Sequence, residues 1–142
     1  MRIKLAVVMV AAMTGGGLWL TAAPGWAHHA FSAEFDASQP LQLEGVVTKF
    51  ELINPHAWIH IDVTDPEGEV VRWMIEGGAP NSLIRRGFTT DSLAIGTEIL
   101  VNGYRAKDGS TRANGKDITF QDGRKLFVGS SGTGAPYEAP SR

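Results

Sequence analysis

The sequence predicts an all-β domain with a small α component, an OB-like five-stranded β-barrel with one short helix between strands three and four. Runs that alternate apolar and polar residues follow one another from residue 41, with turn residues between them. One short helical segment follows the third run, and the first run is long enough to bend around a small barrel. A small open β-sandwich is the alternative architecture.

Residues 1–27 have the pattern of a secretory signal peptide. Arg2 and Lys4 form a basic start, an apolar run (LAVVMVAAM) follows, and residues 25–27 (GWA) place small residues three and one before a cut. We therefore expect cleavage after this segment and a mature chain that begins at His28 in the periplasm or outside the cell. The alternative is an uncleaved anchor, because the uncharged stretch is just long enough to span a bilayer.

Composition limits the classes of chemistry open to this chain. It contains no cysteine, which excludes lipoprotein acylation, iron–sulfur clusters, cysteine-bound zinc and thiol catalysis. Acidic residues outnumber basic ones, 15 to 13. An exported chain of this charge is a poor partner for nucleic acid.

The first three strands are predicted over Leu41–Ile53, Ala57–Thr64 and Val70–Glu76. Gly45 is expected to mark a bulge or bend in the long first strand. The DPEGE sequence at residues 65–69 fits a three-residue hairpin loop, a type I turn followed by a glycine in the left-handed conformation.

A short helix is predicted within residues 79–87. Pro80 stands near its start, arginines occupy its last turn, and Gly87 fits the position just after its end. Two strands follow, at Thr97–Tyr104 and Lys116–Phe120, and Lys125–Val128 is a candidate edge strand.

These elements divide the chain into four parts. After the signal peptide come an N-terminal extension over residues 28–40 and the β-barrel domain over residues 41–129. Residues 130–142 form a tail whose composition predicts disorder.

The stretch NPHAWIH, residues 54–60, holds two histidines at a spacing that suits a metal pair on a helix. Ala57, Ile59 and Ile61 alternate with polar or aromatic residues, which predicts a strand instead. Four residues of strand span about 13 Å. His56 and His60 are therefore not expected to bind the same ion.

The predicted hairpin sets the register of strands two and three. It pairs Asp62 with Arg72, His60 with Met74, and Trp58 with Glu76, and leaves an apolar core face on the other side. The outer face of these strands commonly binds ligands in OB barrels. The alternative is an ordinary Asp62–Arg72 ion pair and a Trp58 packed under the N-terminal segment. The predicted ligand-binding residues are His56, Trp58, His60, Arg72, Met74 and Glu76.

A copper site is a second possibility. After cleavage, His28 would carry a free α-amino group beside its imidazole, a favourable donor pair for copper. His29 and His60 are the other candidate metal ligands, and Met74 is compatible with copper. The alternative is a terminus that is simply a polar start to the chain.

Enzyme motifs are missing from the sequence. It has no G-x-S-x-G, H-E-x-x-H or P-loop motif. An enzyme of unknown reaction is therefore the third reading, behind a non-enzymatic binding module and a copper-binding protein.

Six motifs are spread along the chain: AHHAF at 27–31, EFD at 34–36, NPHAWIH at 54–60, RRG at 85–87, GYRAKDGS at 103–110 and GRKLF at 123–127. Together they resemble DUF6152, a family of small exported bacterial proteins of unknown function. The resemblance covers nearly all of residues 27–132, implies export and one small β-domain, and supplies no activity. We therefore expect an exported binding or interaction module, with a small ligand or a periplasmic protein as partner and no membrane contact after cleavage.

Overall fold

The computed structural model describes residues 31–129, so the predicted signal peptide, His28, His29 and the predicted tail lie outside the described residues. The described chain is mostly β-strand with few helical residues. No helix within residues 31–129 is long and apolar enough to cross a membrane. The strands are β1 (Phe35–Glu51), β2 (Trp58–Thr64), β3 (Val70–Glu76), β4 (Glu98–Ala106), β5 (Arg112–Phe120) and β6 (Lys125–Phe127). The helical elements are a turn at 31–34, α1 (Pro80–Arg85) and a 3₁₀ helix (Thr90–Leu93).

The strands form a ring-like sheet. They follow the order β3-β2-β1-β4-β5-β6, and a further pairing joins β3 to β5. This β3–β5 pairing is parallel, whereas the neighbours along the order pair antiparallel. The described chain therefore has six strands rather than the five expected, with β6 added beside β5 at the position of the candidate edge strand.

The long strand β1 pairs with two neighbours in turn. Its first part pairs with β4 and its last part with β2, and Val46 pairs with both. Gly45 permits this change of partner, because a Cβ there would stand 2.7 Å from the carbonyl oxygen of Asp62. The irregularity in register lies slightly later, between Val47 and Lys49. Gly45 thus serves a close approach of two backbones rather than the bulge itself.

The strand boundaries differ from the sequence prediction by one or two residues at several ends and by more at two strand starts. β1 begins at Phe35, six residues before Leu41, and β5 begins at Arg112, four residues before Lys116. Residues 35–40 (FDASQP) lack the alternation of a half-buried strand, which explains why the pattern missed them.

The hairpin between β2 and β3 has the predicted form. Gly68 has φ +90°, and Asp65 and Glu69 close the loop with a backbone hydrogen bond of 2.9 Å. The predicted register is confirmed at all three polar pairs, Trp58–Glu76, His60–Met74 and Asp62–Arg72. Ile59, Ile61 and Ile75 face the core and are fully buried.

Helix α1 is short and ends as the sequence predicts. Gly87 has φ +92°, its N–H donates to Ile84, and the N–H of Phe88 donates to the carbonyl of Leu83. This is the Schellman pattern, which turns the chain back so that apolar residues on both sides of the glycine can pack. Leu83 and Phe88 accordingly both belong to the main core.

A second, smaller core anchors the N-terminal turn. Phe31, Phe35 and Ala106 are buried together, and Tyr104 packs against them edge-on to Phe31 at a centroid distance of 5.5 Å. The N–H of Lys107 donates to the carbonyl of Glu34 at 2.9 Å. The turn at 31–34 is therefore held against the end of β4, beside the place where β3 meets β5.

Candidate ligand-binding site

Polar side chains from four segments of the chain meet where β3 pairs with β5. The register joins Met74 to Arg112, Ile75 to Ala113, and Glu76 to Asn114. Ile75 and Ala113 are fully buried in the core, so the residues on either side of them face the outer surface of the ring. We call the set at this place the junction cluster: Glu34, His56, Trp58, Glu76 and Arg112.

Glu76 is the buried centre of the junction cluster. Only 6% of its surface is exposed, and its Oε1 lies 2.9 Å from Nδ1 of His56. Burial raises the pKa of Glu76 above its ordinary value; His56 opposes this, Glu34 adds to it, and Arg112 opposes it. With Glu76 ionised, the Nδ1–H of His56 donates to the carboxylate.

Arg112 connects Glu34 with two aromatic rings. Its Nη2 donates to Oε2 of Glu34 at 2.5 Å. Its guanidinium carbon lies 5.7 Å from the ring centroid of Trp58 and 5.8 Å from that of Phe35, within the range of cation–π attraction. The N-terminal segment therefore covers part of the outer face next to Trp58, which itself is half-buried.

The other predicted site residues make separate contacts on the same face. His60 binds Glu51 through Nε2 at 2.9 Å, and Lys49 binds the same carboxylate at 2.6 Å. Hydrogen bonds from Lys49 and then His60 lower the pKa of Glu51. Met74, which lies opposite His60, is partly exposed.

Arg72 forms the ordinary cross-strand ion pair that the sequence allowed as an alternative. Its Nε and Nη2 donate to the two carboxylate oxygens of Asp62 at 2.9 and 3.2 Å. These hydrogen bonds lower the pKa of Asp62 and raise that of Arg72. Arg72 is exposed and lies outside the junction cluster.

Two members of the junction cluster were missing from the sequence-predicted site. Glu34 belonged to the predicted N-terminal extension, and Arg112 preceded the predicted start of β5. The alternation in β5 is interrupted at Gly115, where a Cβ would stand 2.8 Å from a methyl group of Ile75. The parallel β3–β5 contact that brings Arg112 to Glu76 leaves no local signal in the sequence.

The predicted metal ligands receive no support as a set. His28 and His29 lie outside the described residues, and His60 is paired with Glu51. Within residues 31–129, no group of three or more His, Cys, Asp or Glu side chains could hold a metal ion. His56 precedes β2 whereas His60 lies within it, and the two bind different carboxylates, Glu76 and Glu51.

Two open grooves lie away from the junction cluster. One is lined by residues 96–98, Phe120 and Arg124, and the other by Glu44, Asp62 and neighbouring residues. The first lies at the end of the β4–β5 ladder where Ile99 pairs with Phe120, opposite the end that carries Arg112. The junction cluster, in contrast, contains the buried carboxylate whose pKa is raised. This makes it a stronger candidate for a specific binding site than either groove.

These features define a small β-domain with a part-buried polar cluster on its outer face. The chain belongs to DUF6152, a family of unknown function whose model matches residues 17–115. This confirms the family that the sequence motifs suggested, and the matched range contains every member of the junction cluster. No curated protein and no solved structure matches the chain.

Proposed function

We propose that this protein is an exported, non-enzymatic binding module whose ligand contacts the junction cluster on the outer face of β2 and β3, extended to β5. The observation that carries the proposal is the burial of Glu76 against His56. Burying a carboxylate costs stability unless partners compensate for lost water. Buried ionisable side chains with shifted pKa values are concentrated at functional sites.

We also propose that the ring is an OB-like barrel. The strand pairings support this, because β1 to β5 form the circuit β1-β2-β3-β5-β4 and back to β1. In OB barrels, the face of strands two and three is a common ligand surface. The predicted signal peptide supports a location in the periplasm or outside the cell, where the partner would be a small ligand or another exported protein.

The side chains indicate how a ligand would be held. The half-buried ring of Trp58 offers an apolar contact surface. The imidazole of His56, 26% exposed, offers a polar edge next to the carboxylate of Glu76. Arg112 and Glu34 can exchange their mutual ion pair for contacts with a charged group on the ligand.

Tryptophan fluorescence tests this proposal. The chain has four tryptophans, and cleavage after residue 27 leaves only Trp58 and the buried Trp73. A Trp73→Phe variant then reports on Trp58 alone, and Trp58→Phe is its matched control. Both are titrated with the low-molecular-mass fraction of a periplasmic extract in buffer containing EDTA.

The proposal predicts a saturable change of emission in Trp73→Phe and none in Trp58→Phe. A change confined to Trp58→Phe contradicts it, and no change in either variant contradicts binding of a small ligand at this site.

A further inference from the structure

The guanidinium of Arg112 has hydrogen-bonding capacity to spare. Of the five N–H donors of an arginine, the Arg112 side chain uses one within residues 31–129, the bond from Nη2 to Oε2 of Glu34 at 2.5 Å. The guanidinium carbon lies 5.8 Å from the ring centroid of Phe35 and 5.7 Å from that of Trp58. Contacts with two rings restrict the orientation of the planar group, so a ligand that binds it loses little affinity to ordering the side chain.

Arg72, on the same outer face, is the contrasting case. Its Nε and Nη2 bind the two carboxylate oxygens of Asp62 at 2.9 and 3.2 Å. The two residues lie directly opposite each other in the β2–β3 register. This two-bond ion pair is therefore part of the strand pairing, and Arg72 offers less to an incoming ligand than Arg112 does.

The carboxylate that Arg112 binds comes from a segment joined to the sheet through a turn. The register of β1 with β4 is interrupted over residues 36–39, four residues that oppose a single residue of β4. Asp36 closes this stretch into a local turn by accepting hydrogen bonds from the side chains of Ser38 and Gln39 at 2.6 and 2.9 Å. Glu34 lies before the turn, and its side chain is 52% exposed. Its carboxylate can therefore move away while the main part of β1 stays paired with β4.

The charges of the cluster favour a carboxylate as the group that replaces Glu34. Arg112 is permanently positive, so a cationic ligand group would have to lie beside a like charge. A carboxylate in the place of Glu34 leaves the total charge of the cluster unchanged. The buried carboxylate of Glu76 is engaged separately, by Nδ1 of His56 at 2.9 Å, and does not compete for the hydrogen bonds of Arg112.

The rings around Arg112 favour an apolar group next to that carboxylate. Trp58 is half-buried and lies on the outer face, so part of its ring is open to a ligand. Covering the remaining apolar surface of an aromatic ring is favourable. A ligand bound to Arg112 through its carboxylate would place its neighbouring atoms against this ring.

We propose that the ligand of the junction cluster is a small carboxylic acid with an apolar group beside its ionised carboxylate, which displaces Glu34 from Arg112. The inference rests on the proposed function and adds to it the chemical class of the ligand and the residue that selects this class.

Three probes of similar shape and different charge test the inference: phenylacetate, phenylacetamide and phenethylammonium. Affinity is measured from the backbone amide shifts of residues 112–114 as each probe is added. Phenylacetate should bind at least about tenfold more tightly than phenylacetamide, the scale of losing a hydrogen bond between charged groups. Phenethylammonium should leave these shifts unchanged.

Variants then assign the preference to Arg112. Arg112→Gln should lose the preference for phenylacetate over phenylacetamide, whereas the matched control Arg72→Gln should keep it. Glu34→Gln removes the charged competitor within the chain, so it should bind phenylacetate about two- to fivefold more tightly than wild type, the scale of an exposed ion pair. Because this is a gain of affinity, a loss of folding cannot produce it.

The inference is overturned if phenylacetamide or phenethylammonium binds as tightly as phenylacetate, or if none of the three binds. It is also overturned if Arg112→Gln and Arg72→Gln show the same preference, or if Glu34→Gln gains no affinity. Binding of the amide or the ammonium at residues 112–114 would overturn the charge class and leave the proposed site standing. The titration with the periplasmic fraction tests the proposed function without these probes.

Discussion

At the scale of single residues, burial and charge act on Glu76 in opposite directions. Removal from water favours the protonated carboxyl group, His56 and Arg112 favour the ionised one, and the charge of Glu34 adds to the effect of burial. Burial is the larger effect and the pKa is raised. The fold therefore tolerates at this position a group that is unfavourable in its charged form, as is expected of a site kept for binding.

Replacing Glu76 with Gln should remove the loss of stability that ionisation of this buried carboxyl group causes as the pH rises. Since the pKa of Glu76 is raised above its ordinary 4.5, the stability it contributes is complete below the unfolded-state pKa and is lost as the pH rises through the folded-state pKa. Gln does not titrate. The free energy of unfolding of Glu76→Gln, relative to wild type, should therefore rise with pH across this window, measured by chemical unfolding at a series of pH values.

Glu51→Gln is the control, because Lys49 and His60 lower the pKa of Glu51. The stability that Glu51 contributes is present above its unfolded-state pKa and lost as the pH falls through the folded-state pKa. The free energy of unfolding of Glu51→Gln, relative to wild type, should thus fall as the pH rises, within the pH range below 4.5. If the relative free energy of unfolding of Glu76→Gln stays flat or falls with rising pH, burial does not determine the pKa of Glu76.

The sequence predicts part of the site because short-range rules fix it. The hairpin loop sets the register, and the register places Trp58 opposite Glu76. Glu34 and Arg112 could not be predicted in the same way. They join the cluster through the parallel β3–β5 pairing and the packing of Phe31 and Phe35, which are contacts between distant parts of the chain.

At the scale of elements, glycines decide where backbones can approach one another. The end of α1 and the β2–β3 loop follow local turn rules, so the sequence predicts both. The β4–β5 pairing is different, because its register shifts between Asn102 and Gly103. A Cβ at Gly103 would overlap the carbonyl oxygen of Asn114 on the neighbouring strand.

Gly103→Ala should therefore destabilise the protein strongly. The added methyl group meets backbone atoms that cannot move without breaking the pairing, so we expect a loss of about 3 kcal/mol or more. Gly109→Ala is the control. Its Cβ would have open space, and only its φ of +75° opposes alanine, which costs about 1 kcal/mol. Equal losses of unfolding free energy in the two variants, measured by urea unfolding, would contradict a close backbone approach at Gly103.

At the scale of the whole molecule, the β3–β5 pairing both closes the ring and gathers the junction cluster. β5 supplies Arg112, β3 supplies Glu76, and the turn just before β1 supplies Glu34. The open grooves lie elsewhere, toward the other end of the β4–β5 ladder. The proposed function therefore predicts that a ligand binds at the junction cluster and not in the open grooves.

Chemical-shift mapping tests that location most directly. Backbone amide spectra of the protein are recorded with and without the low-molecular-mass periplasmic fraction. Binding at the junction cluster predicts that the largest shifts fall in residues 34–35, 56–58, 74–76 and 112–114. Shifts that concentrate instead around residues 96–98 and 120–124, or spectra that do not change, would contradict binding of a small ligand at the proposed site.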